Sequence, residues 1–172
     1  MSLETFKMRV LPVKDKLYRF AYRFLKDEDE ARDIVQEVLI KVWYQREEMH
    51  HLENMEAWCM RITRNMSLDR LKSKQYKYTD SLSEDFDMSS GEEQTPYRNV
   101  ENNDTMANIN RLISSLPEKQ RQVIQLRDVE GYSYKEIVEI LALDMNQVKV
   151  NLFRARKSIK ENLVNINAYG LR

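Results

Sequence analysis

The sequence predicts an all-α protein of two small helical domains joined by a flexible acidic linker. Apolar residues recur every three or four positions on both sides of a polar middle segment, as they do along one face of a helix. Glycine and proline are scarce, with three of each in 172 residues, which disfavours an all-β fold with many tight turns. Strong helix formers such as Leu, Glu, Lys and Arg are plentiful.

The first domain is predicted over residues 1–75, with three helices that each carry an apolar stripe. These helices are expected at about residues 12–26, 27–45 and 54–74. Pro12 suits the first turn of a helix because its missing N–H has no helical partner there. The acidic segment DEDEA suits the start of the second helix, and Asn54 suits an N-cap for the third.

The second domain is predicted over residues 105–172, after a linker at 76–104. The linker holds two basic and eight acidic side chains and few aliphatic ones, so it cannot bury enough apolar surface to offset its ordering entropy. Helices are expected at about 105–115 and 117–129, with a third from Tyr134 and a fourth after Asp144. Ser133 and Glu136 have the spacing of a capping box, and Asp144 and Gln147 repeat it.

Several classes of protein are excluded by composition. One cysteine permits neither an internal disulfide framework nor a multi-cysteine metal site. The chain has no run of 18 apolar residues and no apolar signal core at its N-terminus, so we expect no membrane insertion and a cytoplasmic location. We expect no metal and no cofactor.

The last two short helices have the pattern of a helix-turn-helix, in which the second helix enters the DNA major groove. Val148, Leu152, Ala155 and Ile159 form its predicted buried stripe. The donors of Gln147, Lys149 and Asn151 suit base edges, and Val150 suits a thymine methyl group. Four other exposed candidates follow: Phe153 and, for phosphates, Arg154, Arg156 and Lys157. Ala142 stands where many such motifs have glycine, at a cost of about 1 kcal/mol if the position needs a positive φ.

The second helix of the first domain carries another exposed pattern. Asp33, Gln36, Glu37, Ile40 and Tyr44 share one face, away from the apolar stripe. Carboxylates, an amide and apolar groups together suit a protein partner better than a nucleic acid. An ordinary solvated face is the alternative.

The third helix has a basic side that begins beside an aromatic residue. Arg61, Arg64, Lys72 and Lys74 lie along it, after Trp58. Basic and aromatic residues together can bind single-stranded DNA through its backbone charge and base stacking. Alternatively, Trp58 belongs to the core.

Three stretches resemble the extracytoplasmic-function (ECF) group of bacterial sigma factors, in the sigma-70 superfamily. ARDIVQEVLIKVW resembles their polymerase-binding helix, AWCMRITRNMSLDRLKSK their third helix, and residues 116–163 their promoter-binding domain. Some positions depart from the group's pattern, so no promoter sequence is carried over. They are Leu39, Cys59, Lys72, Asn146, Gln147, Val150 and Asn151.

The resemblance implies a protein that binds core RNA polymerase, through the clamp coiled coil of the largest subunit and the flap, and directs it to promoter DNA. It implies polymerase contacts at Asp33, Gln36 and Glu37, with Ile40 on the same face. It implies −35 DNA contacts at Lys149, Val150, Phe153 and Arg154, with Gln147 and Asn151 beside them. It implies that Arg61, Arg64 and Asn65 lie near the −10 strand, and that the loop at 46–54 captures a base. Trp58 joins this −10 set as the aromatic residue beside the basic side of the third helix. The acidic linker would lie in the RNA-exit path, and an anti-sigma factor would be a further partner.

Two other classes of function compete with this interpretation. One is a stand-alone helix-turn-helix regulator that does not bind polymerase. The other is an enzyme, which we do not expect. His50 and His51 are adjacent and would point about 100° apart on a helix, a poor metal pair. Cys59 lies in an apolar stripe, where a buried structural thiol is more usual than a nucleophile.

Overall fold

The structure, a computed structural model, describes residues 2–48, 52–81 and 102–169, and every regular element in them is a helix. The helices are α1 (Leu3–Arg9), a 3₁₀ turn (Leu11–Val13), α2 (Lys14–Leu25), α3 (Glu28–Tyr44), α4 (Met55–Ser81), α5 (Asn102–Ser115), α6 (Glu118–Ile124), a π-helix (Gln125–Val129), α7 (Tyr134–Leu141) and α8 (Met145–Tyr169). Most of the predicted linker and part of the loop at 46–54, with its two histidines, lie outside the described residues. The described ends of the predicted linker differ from the expectation, because α4 continues as a helix to Ser81 and α5 begins at Asn102.

The N-terminal domain packs α2, α3 and α4 together through their apolar stripes. Phe20 and Ile34 are fully or almost fully buried, as the helical periodicity predicted. Asn54 caps α4 as expected, because its Oδ1 accepts a bond from the Ala57 N–H at 2.9 Å. The short helix α1 was not predicted, since it has no buried residue to produce a stripe.

The C-terminal domain packs α5, α6 and α7 around the first half of α8. Val148, Leu152 and Ala155 are buried as predicted, each with at most 2% of its surface exposed. The helix expected at 117–129 has a different second half, because residues from Gln125 form a wider π-helical turn. The Glu130 N–H donates to the Gln125 carbonyl at 3.0 Å, the i to i+5 bond that defines such a turn.

The two domains pack against each other, and their buried apolar residues form one continuous cluster. Contacts between α4 and α7 join the N-terminal bundle to the helix-turn-helix. The sequence had left this relative orientation open. The consequence is that the candidate sites of the two domains lie on one compact body.

Candidate protein and nucleic-acid interfaces

The helix-turn-helix is held by two capping boxes in succession. At α7, the Ser133 N–H donates to Glu136 at 2.7 Å, and the Glu136 N–H donates to the Ser133 hydroxyl at 3.3 Å. At α8, the Gln147 N–H donates to Asp144 at 2.8 Å, and the Asp144 N–H donates to Gln147 at 3.1 Å. Both caps were predicted from their spacing. Together they fix where α7 and α8 begin, and so how short the turn between them is.

Glu136 has a second role, because its carboxylate reaches the other domain. Asn54 Nδ2 donates to Glu136 Oε1 at 2.8 Å, so the cap of α4 and the cap of α7 bind each other. Burial by itself would raise the pKa of Glu136, but the bonds from Ser133 and Asn54 and the nearby Lys16 charge outweigh it and lower that pKa.

The turn between α7 and α8 requires a left-handed residue, and Ala142 supplies it at φ 52° and ψ 42°. The condition stated for the sequence, a positive φ at this position, is therefore met. Replacing Ala142 with glycine is therefore expected to raise the free energy of unfolding by about 1 kcal/mol, because glycine adopts a positive φ without the Cβ clash. Urea titration of the full chain would measure the change.

Ala107→Gly is the matched control for this prediction. Ala107 is exposed within α5, where glycine is expected to cost about 1 kcal/mol of helix stability. The two alanine-to-glycine changes should therefore move stability in opposite directions. A loss of stability in Ala142→Gly would contradict the assignment of a strained turn.

The solvent side of α8 carries the predicted DNA-facing residues. Phe153 is 68% exposed and Val150 is 45% exposed, so both apolar side chains are open to a partner. Lys149 and Arg154 flank them, also exposed, and have no ion-pair partner within the part of the chain that the structure describes. The apolar groups suit contacts with base edges, and the unpaired cations on either side of them suit contacts with phosphates.

The four other predicted DNA contacts are engaged within the protein. Arg156 binds Asp128 through two bonds, at 2.9 and 2.6 Å, and the bonded carboxylate raises the pKa of Arg156. Asn151 donates to the Gln147 carbonyl at 2.8 Å, while the Gln147 side-chain oxygen caps α8. Lys157 lies 3.9 Å from Glu161 with both side chains mostly exposed, a weak pair.

The face of α3 that was expected to meet a protein is open to solvent. Asp33, Gln36 and Glu37 are exposed, as are Ile40 (54%) and Tyr44 (79%). The Glu37 carboxylate accepts a bond from Arg70 of α4 at 3.3 Å, which leaves its second oxygen free of any such bond among the described contacts. This face is therefore available, and its role stays a prediction.

The predicted −10 residues lie where α4 meets the C-terminal domain. Trp58 and Arg64 are half-buried, while Arg61 and Asn65 are exposed. Arg64 donates to Asn65 at 3.0 Å and, across the domain interface, to Gln122 at 3.3 Å. A cavity of about 330 Å³ opens beside them, lined by Leu52, Glu53, Asn54, Ala57, Trp58, Arg61 and Glu139.

Sequence reasoning missed a row of four cations along α2 and its C-cap. This α2 basic row consists of Lys16, Arg19 and Arg23 on the helix and Lys26 at its C-cap. Their spacing of i, i+3, i+7 and i+10 places them on one face, a signal that could have been read. All four contact the C-terminal domain, as described below. Their partners could not have been predicted, because they come from distant positions.

Cys59 is fully buried, and burial raises the pKa of its thiol to about 12. This agrees with the prediction of a small buried hydrophobe. Within the described ranges, no helix is long and apolar enough to cross a membrane.

The chain matches two family models in the order of its domains. Residues 10–76 match Sigma-70 region 2, and residues 106–159 match Sigma-70 region 4. Together they cover the N-terminal bundle with its α3 face and the helix-turn-helix with its α8 face. The class defined by this fold is a two-domain, helix-turn-helix protein of the sigma-70 type.

Three relatives make the assignment narrower. The chain is 30% identical to the ECF RNA polymerase sigma factor SigE of Mycolicibacterium smegmatis, over 87% of this chain and 58% of that protein. It is also 30% identical to the RNA polymerase sigma factor SigV of Bacillus subtilis, over 87% of this chain and 86% of that one. Among solved structures, the sigma factor RpoE of Bartonella quintana, in complex with the anti-sigma factor NepR, superposes with a TM-score of 0.75 at 25% identity, covering 94% and 98% of the two chains.

The chain belongs to the ECF group of RNA polymerase sigma factors. The fold class and the resemblance expected from the sequence are thereby confirmed. The names of these relatives describe sigma factors, and none describes an enzyme.

Proposed function

We propose that this protein is a sigma subunit that binds core RNA polymerase and directs it to specific promoters. The observation that carries the proposal is the coexistence of two open faces on one chain of this family. One is the mixed polar and apolar face of α3, and the other is the cationic and apolar face of α8. A protein that joins a large enzyme to DNA needs one surface for each partner.

We assign the polymerase contact to α3. Asp33, Gln36, Glu37 and Ile40 offer carboxylates, an amide and an exposed aliphatic side chain to the clamp coiled coil of the largest subunit. The flap is proposed to contact the C-terminal domain. The domain limits proposed with these roles are residues 1–75 and 105–172, with the acidic linker at 76–104 between them.

We assign −35 DNA to α8 and −10 DNA to α4. Lys149, Val150, Phe153 and Arg154 are the principal contacts on α8, because they are exposed and not bonded elsewhere among the described contacts. Gln147, Asn151, Arg156 and Lys157 complete the proposed −35 set, and Trp58, Arg61, Arg64 and Asn65 form the proposed −10 set. The loop at 46–54 is proposed to receive an unstacked base.

An anti-sigma factor is a further proposed partner, supported by the RpoE structure, which holds a sigma factor and its anti-sigma factor. A sigma subunit acts where the polymerase and the chromosome are, so we propose a cytoplasmic, nucleoid-associated location. No cofactor enters the proposal.

A stand-alone helix-turn-helix regulator is the second candidate, since the α8 face by itself would serve one equally well. Run-off transcription distinguishes the two. Purified chain and core polymerase from the same bacterium are incubated with linear templates whose upstream region is randomised, and the transcripts are sequenced. We expect initiation at a shared promoter motif only when both proteins are present. DNA binding by the chain without new transcripts would instead favour the regulator.

A further inference from the structure

We propose that the α2 basic row holds the C-terminal domain in a closed position in the free protein, and that this position covers part of the −10 face of α4. The second half of this inference rests on the proposed function, because it concerns promoter DNA. The first half concerns the chain by itself. It requires only that the interdomain contacts hold the domains together.

The centre of the contact is Glu130, whose side chain is 0% exposed. Arg19 of α2 donates to both of its oxygens, at 3.0 and 2.7 Å, and Gln125 donates a third bond at 3.1 Å. A carboxylate loses its hydration when it is buried, and bidentate guanidinium bonds are among the few contacts that compensate. The closed position therefore depends on Arg19.

The rest of the α2 basic row extends this contact along one face of the helix. Arg23 donates to Gln125 at 3.0 Å and to the Asn110 side chain at 3.0 Å. Lys26 donates to the Ser114 hydroxyl at 2.7 Å.

At the other end of the row, the Lys16 ammonium lies 5.2 Å from the centre of the Tyr132 ring. Lys16 also pairs with Glu56 of its own domain. The row therefore contacts the C-terminal domain along about three turns of α2.

The π-helix provides the acceptors for this row. Its wide turn at Gln125–Val129 places Gln125 and Glu130 on the same side, where they bond each other and face α2. A regular α-helix would rotate residues five apart by about 500°, or 140° net, and would separate them. Single π-turns of this kind occur frequently at functional sites.

The closed position brings the C-terminal domain onto the −10 face. Gln122 accepts a bond from Arg64, and Glu139 of α7 lines the same cavity as Trp58 and Arg61. A DNA strand that follows this face would meet the Glu139 carboxylate and would compete with Gln122 for Arg64. Both effects disfavour −10 binding until the domains separate.

Separating the domains replaces the polar contacts named here with bonds to water. It also exposes apolar residues of the cluster that is continuous across the two domains, which favours the closed state. A partner that binds the open state selectively shifts the population toward it.

Two variants of the full chain test the inference, Arg19→Gln and Glu130→Gln. They change net charge in opposite directions, so a shared effect cannot come from bulk electrostatics. Arg32→Gln and Glu161→Gln are the matched controls, since both residues are exposed and pair only weakly within their own helices. Circular dichroism confirms that each variant retains its helices.

Small-angle X-ray scattering measures the radius of gyration, and anisotropy measures affinity for a fluorescein-labelled 20-nucleotide single strand of mixed sequence. We expect both test variants, but neither control, to expand and to bind the strand more tightly. A tenfold rise in the open fraction gives about a tenfold rise in apparent affinity. No expansion in either test variant would overturn the closed position.

Expansion with affinity equal to that of the controls would overturn the covering of the −10 face and leave the interdomain contact standing. The proposed function fails separately, if the wild-type chain gives no promoter-specific transcripts in the run-off assay. The scattering result does not depend on that assay, so the two failures are distinguishable.

Discussion

Core RNA polymerase is expected to bind the Gln36→Ala, Glu37→Ala double variant at least ten times more weakly than the wild-type chain. Both side chains are exposed on α3. Truncating them therefore removes groups that the polymerase would contact and leaves the core of the protein intact. Interface residues that matter cost about 1–2 kcal/mol each on truncation, and 1.4 kcal/mol is a factor of ten in affinity. Titration of labelled chain with core polymerase, followed by anisotropy, measures the change.

The same variant should keep its thermal stability. Of the two truncated side chains, Glu37 is bonded to another helix, through the pair with Arg70 at 3.3 Å. Surface ion pairs of this kind contribute little to the free energy of unfolding. Glu161→Ala with Asn162→Ala is the matched control, because it removes the same chemical groups from an exposed position on α8. Wild-type affinity in the α3 variant would remove this face from the polymerase interface.

The second large effect is expected on α8. Replacing Lys149 and Arg154 with alanine should lower affinity for a 30-base-pair duplex about 10- to 100-fold at low salt. It should also make the plot of log K against log salt shallower by roughly 2, because each phosphate contact releases about one counterion. Both cations are exposed and not paired within the described residues.

Arg156→Ala is the comparison that the structure makes informative. The sequence pattern treats Arg154 and Arg156 as equivalent phosphate contacts. The structure places the Arg156 guanidinium on Asp128, at 2.9 and 2.6 Å, which already neutralises it. Its replacement should change the salt slope by clearly less than one. Equal slope changes per residue in the two variants would show that this ion pair opens on DNA.

Local patterns were sufficient for most of the helices and for both faces. The capping boxes at Ser133 and Asp144 depend on residues three positions apart, and the buried stripe of α8 depends on residues three and four apart. Such interactions join residues that are close in the sequence, so they can be predicted without knowing the fold. The short helix α1 was not predicted because none of its residues is fully buried.

For the candidate sites, too, some features could be predicted from the sequence and others depended on the fold. That Phe153 and Ile40 are exposed follows from periodicity, because each lies opposite a buried stripe of its own helix. That Asn151 bonds the Gln147 carbonyl, or that Arg156 binds Asp128, does not follow from periodicity. These bonds depend on rotamers and on the packing of α8 against the π-helix, and they decide which polar residues remain free for DNA.

Adjacent residues thus decided most of the secondary structure, the two open faces and the family of this protein. Three-dimensional packing decided how the domains meet, since Arg19 and Glu130 are 111 positions apart. Burial of the Glu130 carboxylate is strongly unfavourable unless the Arg19 guanidinium pairs with it, and no local sequence pattern predicts that pairing. The cations of α2 could therefore be recognised as a row from the chain, whereas their partners required the folded molecule.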